Sequence, residues 1–279
     1  MQVARTVEEF RALRAVLPGP VGLVPTMGAL HEGHRSLMRR ARRECASLAV
    51  SIFVNPTQFA PNEDFTRYPR PEADDLSACE AEGVDLVLMP AVEEVYPNGA
   101  TTTVSVGPLS RILEGASRPG HFDGVATVVS KLLNIGQPDR AYFGQKDAQQ
   151  LLVIRRMVRD LLFPVEIVGC PIVRDESGLA LSSRNVYLSE EECAQALSLS
   201  RGLRRAEAAW LGGMRNAPAL RSLVHDDIAA QPLARIDYVS LADMETLGEC
   251  EGRVTRDALL SLAVRFGTTR LIDNTTLRV

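Results

Sequence analysis

No stretch of this sequence approaches 18 uninterrupted apolar residues, and the N-terminus lacks an apolar core flanked by basic residues. Neither a membrane-spanning helix nor a secretory leader is therefore expected. The five cysteines (Cys45, Cys79, Cys170, Cys193 and Cys250) are odd in number, scattered and free of Cys-x-x-Cys spacing. They read as small core or surface residues in a reducing compartment, so a cytoplasmic protein is expected. Basic charge is not in excess: 31 Lys and Arg stand against 35 Asp and Glu, for a formal net charge of −4. That balance argues against a nucleic-acid protein, whose footprint would be basic. Internal repeats, low-complexity segments and long flexible linkers are also missing. What remains is an ordinary soluble composition, 46% apolar over 279 residues, enough for one large domain or two moderate ones.

The most informative stretch is residues 21–39. Residues 21–24, Val-Gly-Leu-Val, read as a buried strand, and Pro25, which cannot donate to a sheet ladder, is expected to end it. Thr26-Met27-Gly28 supplies a turn, and a helix follows, with His31 and His34 three residues apart at its start. The orphan N–H groups and positive dipole end of a helix start favour an anion. Gly28 and Gly33 carry no Cβ, so a bulky ligand can approach the backbone. The pattern points to a phosphate site with two imidazole donors. Two rivals stand beside it: polar histidines on an ordinary helix, and a His-x-x-His metal pair. Zinc wants three or four ligands, and neither a Cys nor a Glu placed as in His-Glu-x-x-His completes the set nearby.

Elsewhere Thr6 and Glu9 form a capping box before a helix. Apolar runs at 48–54, 84–89 and 140–143 read as strands, and 70–82, 125–135 and 147–162 as helices. Alternating strands and helices imply βαβ crossovers and a parallel sheet, with ligands beyond the carboxyl ends of the strands. Residues 26–34, 55–58 and 144–150 each follow a strand. From Cys170 onward the texture changes to polar, Gly-containing turns. Helices from Ser189 to about Leu211 and from about Ala217 to Ala230 follow, then strands at 236–241, 258–265 and 270–273. The expected architecture is α/β: a Rossmann-like domain over residues 1–172 and a smaller C-terminal α+β domain over 173–279.

Five segments, taken in order, resemble one family. They are Pro25-Thr26-Met27-Gly28-Ala29-Leu30-His31-Glu32-Gly33-His34, Phe53-Val54-Asn55-Pro56-Thr57-Gln58-Phe59, Phe143-Gly144-Gln145-Lys146-Asp147 with Gln149-Gln150, Ser182-Ser183-Arg184-Asn185, and Gly267-Thr268-Thr269-Arg270-Leu271-Ile272-Asp273-Asn274. His-x-Gly-His alone marks a broad nucleotidyltransferase superfamily shared with class I aminoacyl-tRNA synthetases. The segments holding Gln58 and Gln150 narrow the resemblance to the pantoate–β-alanine ligases.

The resemblance implies an ATP-dependent enzyme working in two steps. Pantoate's carboxylate attacks the α-phosphate of ATP, giving pantoyl adenylate and pyrophosphate; β-alanine's amine then releases AMP and pantothenate. No side-chain nucleophile is needed, so catalysis rests on positioning and on neutralising phosphate charge. By resemblance Met27, Gly28, Ala29, Leu30, His31, Glu32, Gly33 and His34 hold ATP, with His34, protonated or donating, stabilising charge on phosphate. His31 and Lys146 share the catalytic role. Gly144, Gln145, Lys146 and Asp147 are further ATP residues, although Asp147 could equally cap the next helix. In the second domain Val173 meets adenine through its backbone, and Leu181, Ser182, Ser183 and Arg184 close over the phosphates as a lid. Gln58 and Gln150 are the substrate pair, neutral amides offering donors and an acceptor to hydroxyls and carboxylate.

Leu181 stands where the family more often has Met, Gln145 where Glu is common, and Ala148 at a commonly aromatic position. Magnesium is expected with ATP, bound through phosphate oxygens and water, and no residue is assigned to a metal. By resemblance Asp74 and Asp75 stand at a position sometimes linked to the metal, but a solvated helix start explains them as well; His225 reads as a surface residue, and His121 is left unassigned. A homodimer built through the larger domain is implied. Two other functions remain open. A nucleotidyltransferase acting on a phosphate-bearing substrate would want basic residues where Gln58 and Gln150 stand. A non-enzymatic nucleotide binder would be expected to have lost His34, Lys146 or a glutamine.

Overall fold

A computed structural model describes residues 1–60 and 65–279. The chain divides into two compact units, Met1–Gln145 with Gln149–Pro171, and Lys146–Ala148 with Ile172–Val279. The first unit contains β1 (Gln2–Ala4), α1 (Val7–Ala15), β2 (Val21–Thr26), α2 (Glu32–Glu44), β3 (Ser47–Ile52), α3 (Glu72–Ala81) and β4 (Leu86–Leu88). Two short helices, α4 (Val92–Val95) and α5 (Glu114–Ser117), precede α6 (His121–Gly136), β5 (Arg140–Gly144), α7 (Ala148–Asp160) and β6 (Glu166–Cys170).

The six strands form one parallel sheet in the order β1-β4-β3-β2-β5-β6. From β2 the chain builds outward through β3 and β4, then returns to lay β5 on the other side of β2. The carboxyl ends of β2 and β5 therefore flank the topological switch point, where open α/β sheets bind ligands. The pairing there is short. β2 and β5 register only at Gly22–Arg140 and Leu23–Ala141, while β2 stays paired with β3 as far as Thr26–Ile52.

β2 does not end at Pro25 as expected but runs through it to Thr26. Thr26 O accepts from Phe53 N at 3.0 Å, so Thr26 faces β3. By alternation Pro25 turns its missing N–H toward β5, where the ladder has already stopped at Leu23. Other boundaries also move. The helix expected at 70–82 is Glu72–Ala81, with Pro71 at its N-cap, and the 84–89 run contributes only Leu86–Leu88 to the sheet. The helix expected at 125–135 spans His121–Gly136, and a 3-10 turn, Gln145–Asp147, precedes α7. β1 and β6 have no counterpart in the sequence reading: β1 is three residues long, and β6 carries a glycine and partly exposed positions.

α2 is held by one face. Leu37, Met38 and Ala41 pack with Val24, Leu48, Val50 and Ile52 of the sheet. Full burial of Leu37 and Met38 contributes about 1.5–3 kcal/mol each. Arg35 and Arg39 on the other side of α2 both bind Glu82, at 2.6 and 2.9 Å, which ties the helix to the end of α3.

The second unit contains α8 (Glu190–Leu211), α9 (Ala217–Ala229) and the antiparallel sheet β7 (Ala234–Asp243), β8 (Ala258–Phe266) and β9 (Thr269–Leu277). Ser189 and Glu192 cap α8 reciprocally, and Gly212 ends it. Leu199, Leu203, Trp210, Leu220 and Val224 of the helices share one core with Leu260, Leu262 and Val264 of β8. No helix among the described residues is long and apolar enough to cross a membrane.

Candidate active site

The turn after β2 is fixed by side chains that accept from its backbone amides. Gly28 N donates to Thr26 Oγ1 at 3.2 Å, and Thr26 Oγ1 donates to Ser51 O at 2.8 Å. Asp75 then takes the next two amides: Ala29 N donates to Oδ2 at 3.0 Å and Leu30 N to Oδ1 at 2.8 Å. Gly28 has φ +80°, and a Cβ on it would lie 2.7 Å from Asp75 Oδ2, so only glycine fits. Asp75 is 2% exposed, which corrects the expectation of a solvated helix start; only Asp74 remains exposed there.

His31 is the N-cap of α2 rather than part of its helical face, and His34 is the third helical residue. They form a reciprocal box: Gly33 N donates to His31 Nδ1 at 3.1 Å, and His31 N donates to His34 Nδ1 at 3.3 Å. Because each Nδ1 accepts from a backbone N–H, each neutral ring carries its proton on Nε2. The rings lie 4.2 Å apart between centroids. Of the two roles expected for His34, the geometry favours a donating neutral ring, since a second ring proton would break the cap. Glu32 directs its carboxylate away to Arg39, at 2.6 and 2.9 Å, and that guanidinium holds it below the usual carboxylate range.

The turn after β3 is organised by Asn55, 1% exposed. Its Oδ1 accepts from Thr57 Oγ1 at 2.9 Å and Tyr96 OH at 2.8 Å. Its Nδ2 donates to Gln58 Oε1 at 3.0 Å and to Gly124 O at 3.2 Å. Burial raises the Tyr96 hydroxyl above its ordinary pKa, against the effect of its bond to Thr57, so it stays a donor. Gln58 Nε2 reaches Met27 Sδ at 3.1 Å, which joins this turn to the one after β2. His121 Nδ1 donates to Gln58 O at 2.8 Å and its Nε2 accepts from Arg118 at 3.0 Å, the opposite tautomer from His31 and His34. His121 therefore holds the Gln58 backbone.

Gly144 ends β5, and a Cβ there would meet nothing within 4 Å, which leaves open space above it. Gln149 and Gln150 divide their labour. Gln149 is 6% exposed and binds the Leu109 and Ile112 carbonyls at 2.9 and 2.8 Å and the Glu114 amide at 3.0 Å. Gln150 is half-buried, and among the described residues its side chain has no hydrogen-bond partner. Its donors and acceptor are thus available to a ligand.

Gln145 is the last residue of the first unit before the Lys146–Ala148 segment, and the remaining expected residues belong to the second unit. Lys146 is half-buried with no ion-pair partner among the described residues, and Asp147 is exposed. Leu181 N donates to Val173 O at 2.9 Å, closing a small loop. Ser182 then caps the 3-10 turn Ser183–Tyr187 through Arg184 N at 3.2 Å, and Arg184 is exposed. His225 lies on α9 with its side chain 56% exposed. Among the described residues no group of three His, Cys, Asp or Glu side chains could hold a metal ion. Asp75 spends both oxygens on backbone amides, so the donor set suits magnesium arriving on phosphate oxygens rather than a protein-held ion.

Asp75, Asn55 and His121 are not assigned from sequence. Asn55-Pro56 carries a local signal, an Asx cap with Pro at the first helical position. Asp75 carries none, because its partners lie 45 and 46 residues away.

The chain matches the family described as pantoate-beta-alanine ligase over residues 2–276. It is 61% identical over 274 residues to the pantothenate synthetase of Roseiflexus sp. (strain RS-1), covering 98% of each chain. To that of Moorella thermoacetica it is 57% identical over 259 residues, covering 93% of this chain and 91% of the relative. Among solved structures, pantothenate synthetase from Thermus thermophilus superposes with TM-score 0.94 at 49% identity, covering 100% of both chains. The pantoate-beta-alanine ligase of Francisella tularensis, complexed with beta-gamma ATP and beta-alanine, superposes with TM-score 0.79 at 35% identity, covering 99% and 97%. The chain accordingly belongs to the pantoate–β-alanine ligase family, the enzymes also called pantothenate synthetases.

Proposed function

We propose that the enzyme condenses pantoate with β-alanine at the expense of ATP, through a pantoyl adenylate. The observation that supports this reading is the contact between Gln58 and Met27, by which the amide proposed to bind pantoate lies beside the turn proposed to bind phosphate. In the first step a pantoate carboxylate oxygen attacks the α-phosphorus, and the bond to the bridging oxygen breaks with pyrophosphate leaving. In the second, the β-alanine amine attacks the acyl carbon, loses a proton and expels AMP.

The Nε2–H groups of His31 and His34 would donate to phosphate oxygens as charge builds there, from a backbone already fixed before the reaction. Gln58 and Gln150 would hold pantoate. An arginine would bind its carboxylate harder but lower its nucleophilicity. Lys146 supplies formal positive charge to the phosphates, and Asp147, Gly144 and Gln145 complete the nucleotide contacts. On the second unit, Val173, Leu181, Ser182, Ser183 and Arg184 serve as a lid for ATP. Magnesium would come bound to the nucleotide. A cytoplasmic homodimer is part of the same proposal, checked by sedimentation at micromolar concentration.

The test is pyrophosphate release from MgATP with and without pantoate, before any β-alanine is added. Pantoate alone should trigger it and leave enzyme-bound acyl adenylate. Release that requires a phosphorylated acceptor, or CTP, would overturn the reading in favour of another nucleotidyltransferase.

A further inference from the structure

Asn274 lies on β9 and is only 6% exposed. Its Nδ2 donates at 2.8 Å to the backbone carbonyl of Lys146, 128 positions away in sequence. Lys146–Ala148 belongs to the second unit although the residues on either side of it belong to the first. The unit that claims the lysine segment is thus the one whose sheet holds its backbone.

Asn274 is itself anchored. Its N–H donates to Asp273 Oδ1 at 2.8 Å, and Asp273, 2% exposed, takes a two-pronged bond from Arg174 at 2.6 and 2.9 Å. Arg174 follows Val173 in the loop that leads to Ser182 and Arg184. Two adjacent residues of β9 therefore hold the Lys146 backbone and the Arg174 side chain. A buried polar pair is costly unless its bonds are made, and here they are made to main-chain and guanidinium groups at fixed distances.

We infer that Asn274 is a positioning residue for the reaction: it sets the height of the Lys146 backbone, and so where the ammonium group meets phosphate. The inference rests on the phosphate role proposed for Lys146. A purely structural Asn274 would stabilise β9 and leave turnover per folded molecule alone.

The experiment is a double-mutant cycle on the full-length enzyme, read as single-turnover formation of pantoyl adenylate per folded molecule. Asn274→Ala should slow this step about 10- to 100-fold, the scale of loss for a group displaced by an ångström. Lys146→Ala should slow it further, and adding Asn274→Ala to Lys146→Ala should cost nothing more, because the two act as one unit. Pantoate binding, measured by calorimetry, should stay within about twofold. If Asn274→Ala does not fold, Asn274→Leu keeps the branched shape without the donor and enters the same cycle. Effects that multiply in the double mutant, or a folded Asn274 variant within about twofold of wild type, would overturn the inference while leaving the reaction assignment intact. Failure of the underlying reading is visible separately, as wild-type enzyme that releases no pyrophosphate with pantoate, or as Lys146→Ala at the wild-type rate, and it removes the inference too.

Discussion

The turn that follows β2 and the cation-bearing segments of the second unit are both proposed to meet phosphate, yet they are built by opposite means. The first uses neutral donors: two Nε2–H groups held by main-chain amides that cap both Nδ1 atoms, on a turn clamped by a buried carboxylate. The second uses formal charge, Lys146 and Arg184, on side chains with no ion-pair partner among the described residues. Neutral donors act over hydrogen-bond distances and demand geometry. Charges act over longer range and are weakened by salt. On the proposed roles the turn recognises the transition state, while the cations attract the nucleotide and Lys146 also adds charge to the reacting phosphate.

The largest expected effect comes from the turn. His34→Ala should slow adenylate formation by roughly 100- to 1,000-fold, about 3–4 kcal/mol, with little change in ATP affinity. Lys146→Ala should also slow the step and, unlike His34→Ala, weaken ATP binding in a salt-dependent way. Stopped-flow rates and calorimetry at two ionic strengths separate the two, and equal salt dependence in both variants would erase the contrast.

Next is the clamp. Asp75→Asn leaves one acceptor for two amides, so one backbone N–H at Ala29 or Leu30 faces an NH2 group. A loss of about 2–3 kcal/mol is expected for a buried, charge-assisted bond left unmade. Thermal unfolding measures it. Cys79 is buried with its thiol pushed up to about 12 by burial and, to a lesser extent, by Asp75, so it should resist alkylation in the native protein.

Gly124→Ala tests the neighbouring turn. A Cβ there would lie 2.3 Å from Thr57 O and 2.8 Å from Gln58 N, so the turn bearing Gln58 must move. Overpacking of this kind costs about 1–3 kcal/mol. The pantoate KM should rise while the KM for ATP holds; a parallel rise in both would deny that Gln58 belongs to the pantoate side.

The smallest effect is at Glu82. Burial raises its pKa, but bonds from Arg39 and Arg35 outweigh this and leave it lowered. A lowered folded pKa means stability that is present above the unfolded value and is lost as pH falls through the folded one. Glu82→Gln should therefore cost about 1 kcal/mol near neutral pH, allowing for the partly exposed arginines. The difference in melting temperature from wild type should close as pH falls through the lowered Glu82 pKa, below the ordinary carboxylate range.

Local features of this molecule are legible in its sequence. The capping boxes at Thr6 and Ser189, the strand–turn–helix around Gly28, and the exposed His225 follow from neighbours within a few residues. Features made by side chains binding distant backbone are not. Asp75 to the Ala29 and Leu30 amides, His121 to the Gln58 carbonyl and Asn274 to the Lys146 carbonyl leave no periodic trace, because each partner looks ordinary in its own segment. Pro25 departs from expectation for a related reason: whether a missing N–H matters depends on which neighbour strand it faces, and that is set by sheet order.

The central claim, that the carboxylate of pantoate attacks the α-phosphorus of ATP, is tested most directly by isotope transfer. Pantoate labelled with oxygen-18 in its carboxylate is turned over with MgATP and β-alanine, and the products are analysed by mass spectrometry. Attack at the α-phosphorus predicts one labelled oxygen in each AMP and none in pyrophosphate. Unlabelled AMP, or label recovered in inorganic phosphate from an acyl phosphate, would contradict it.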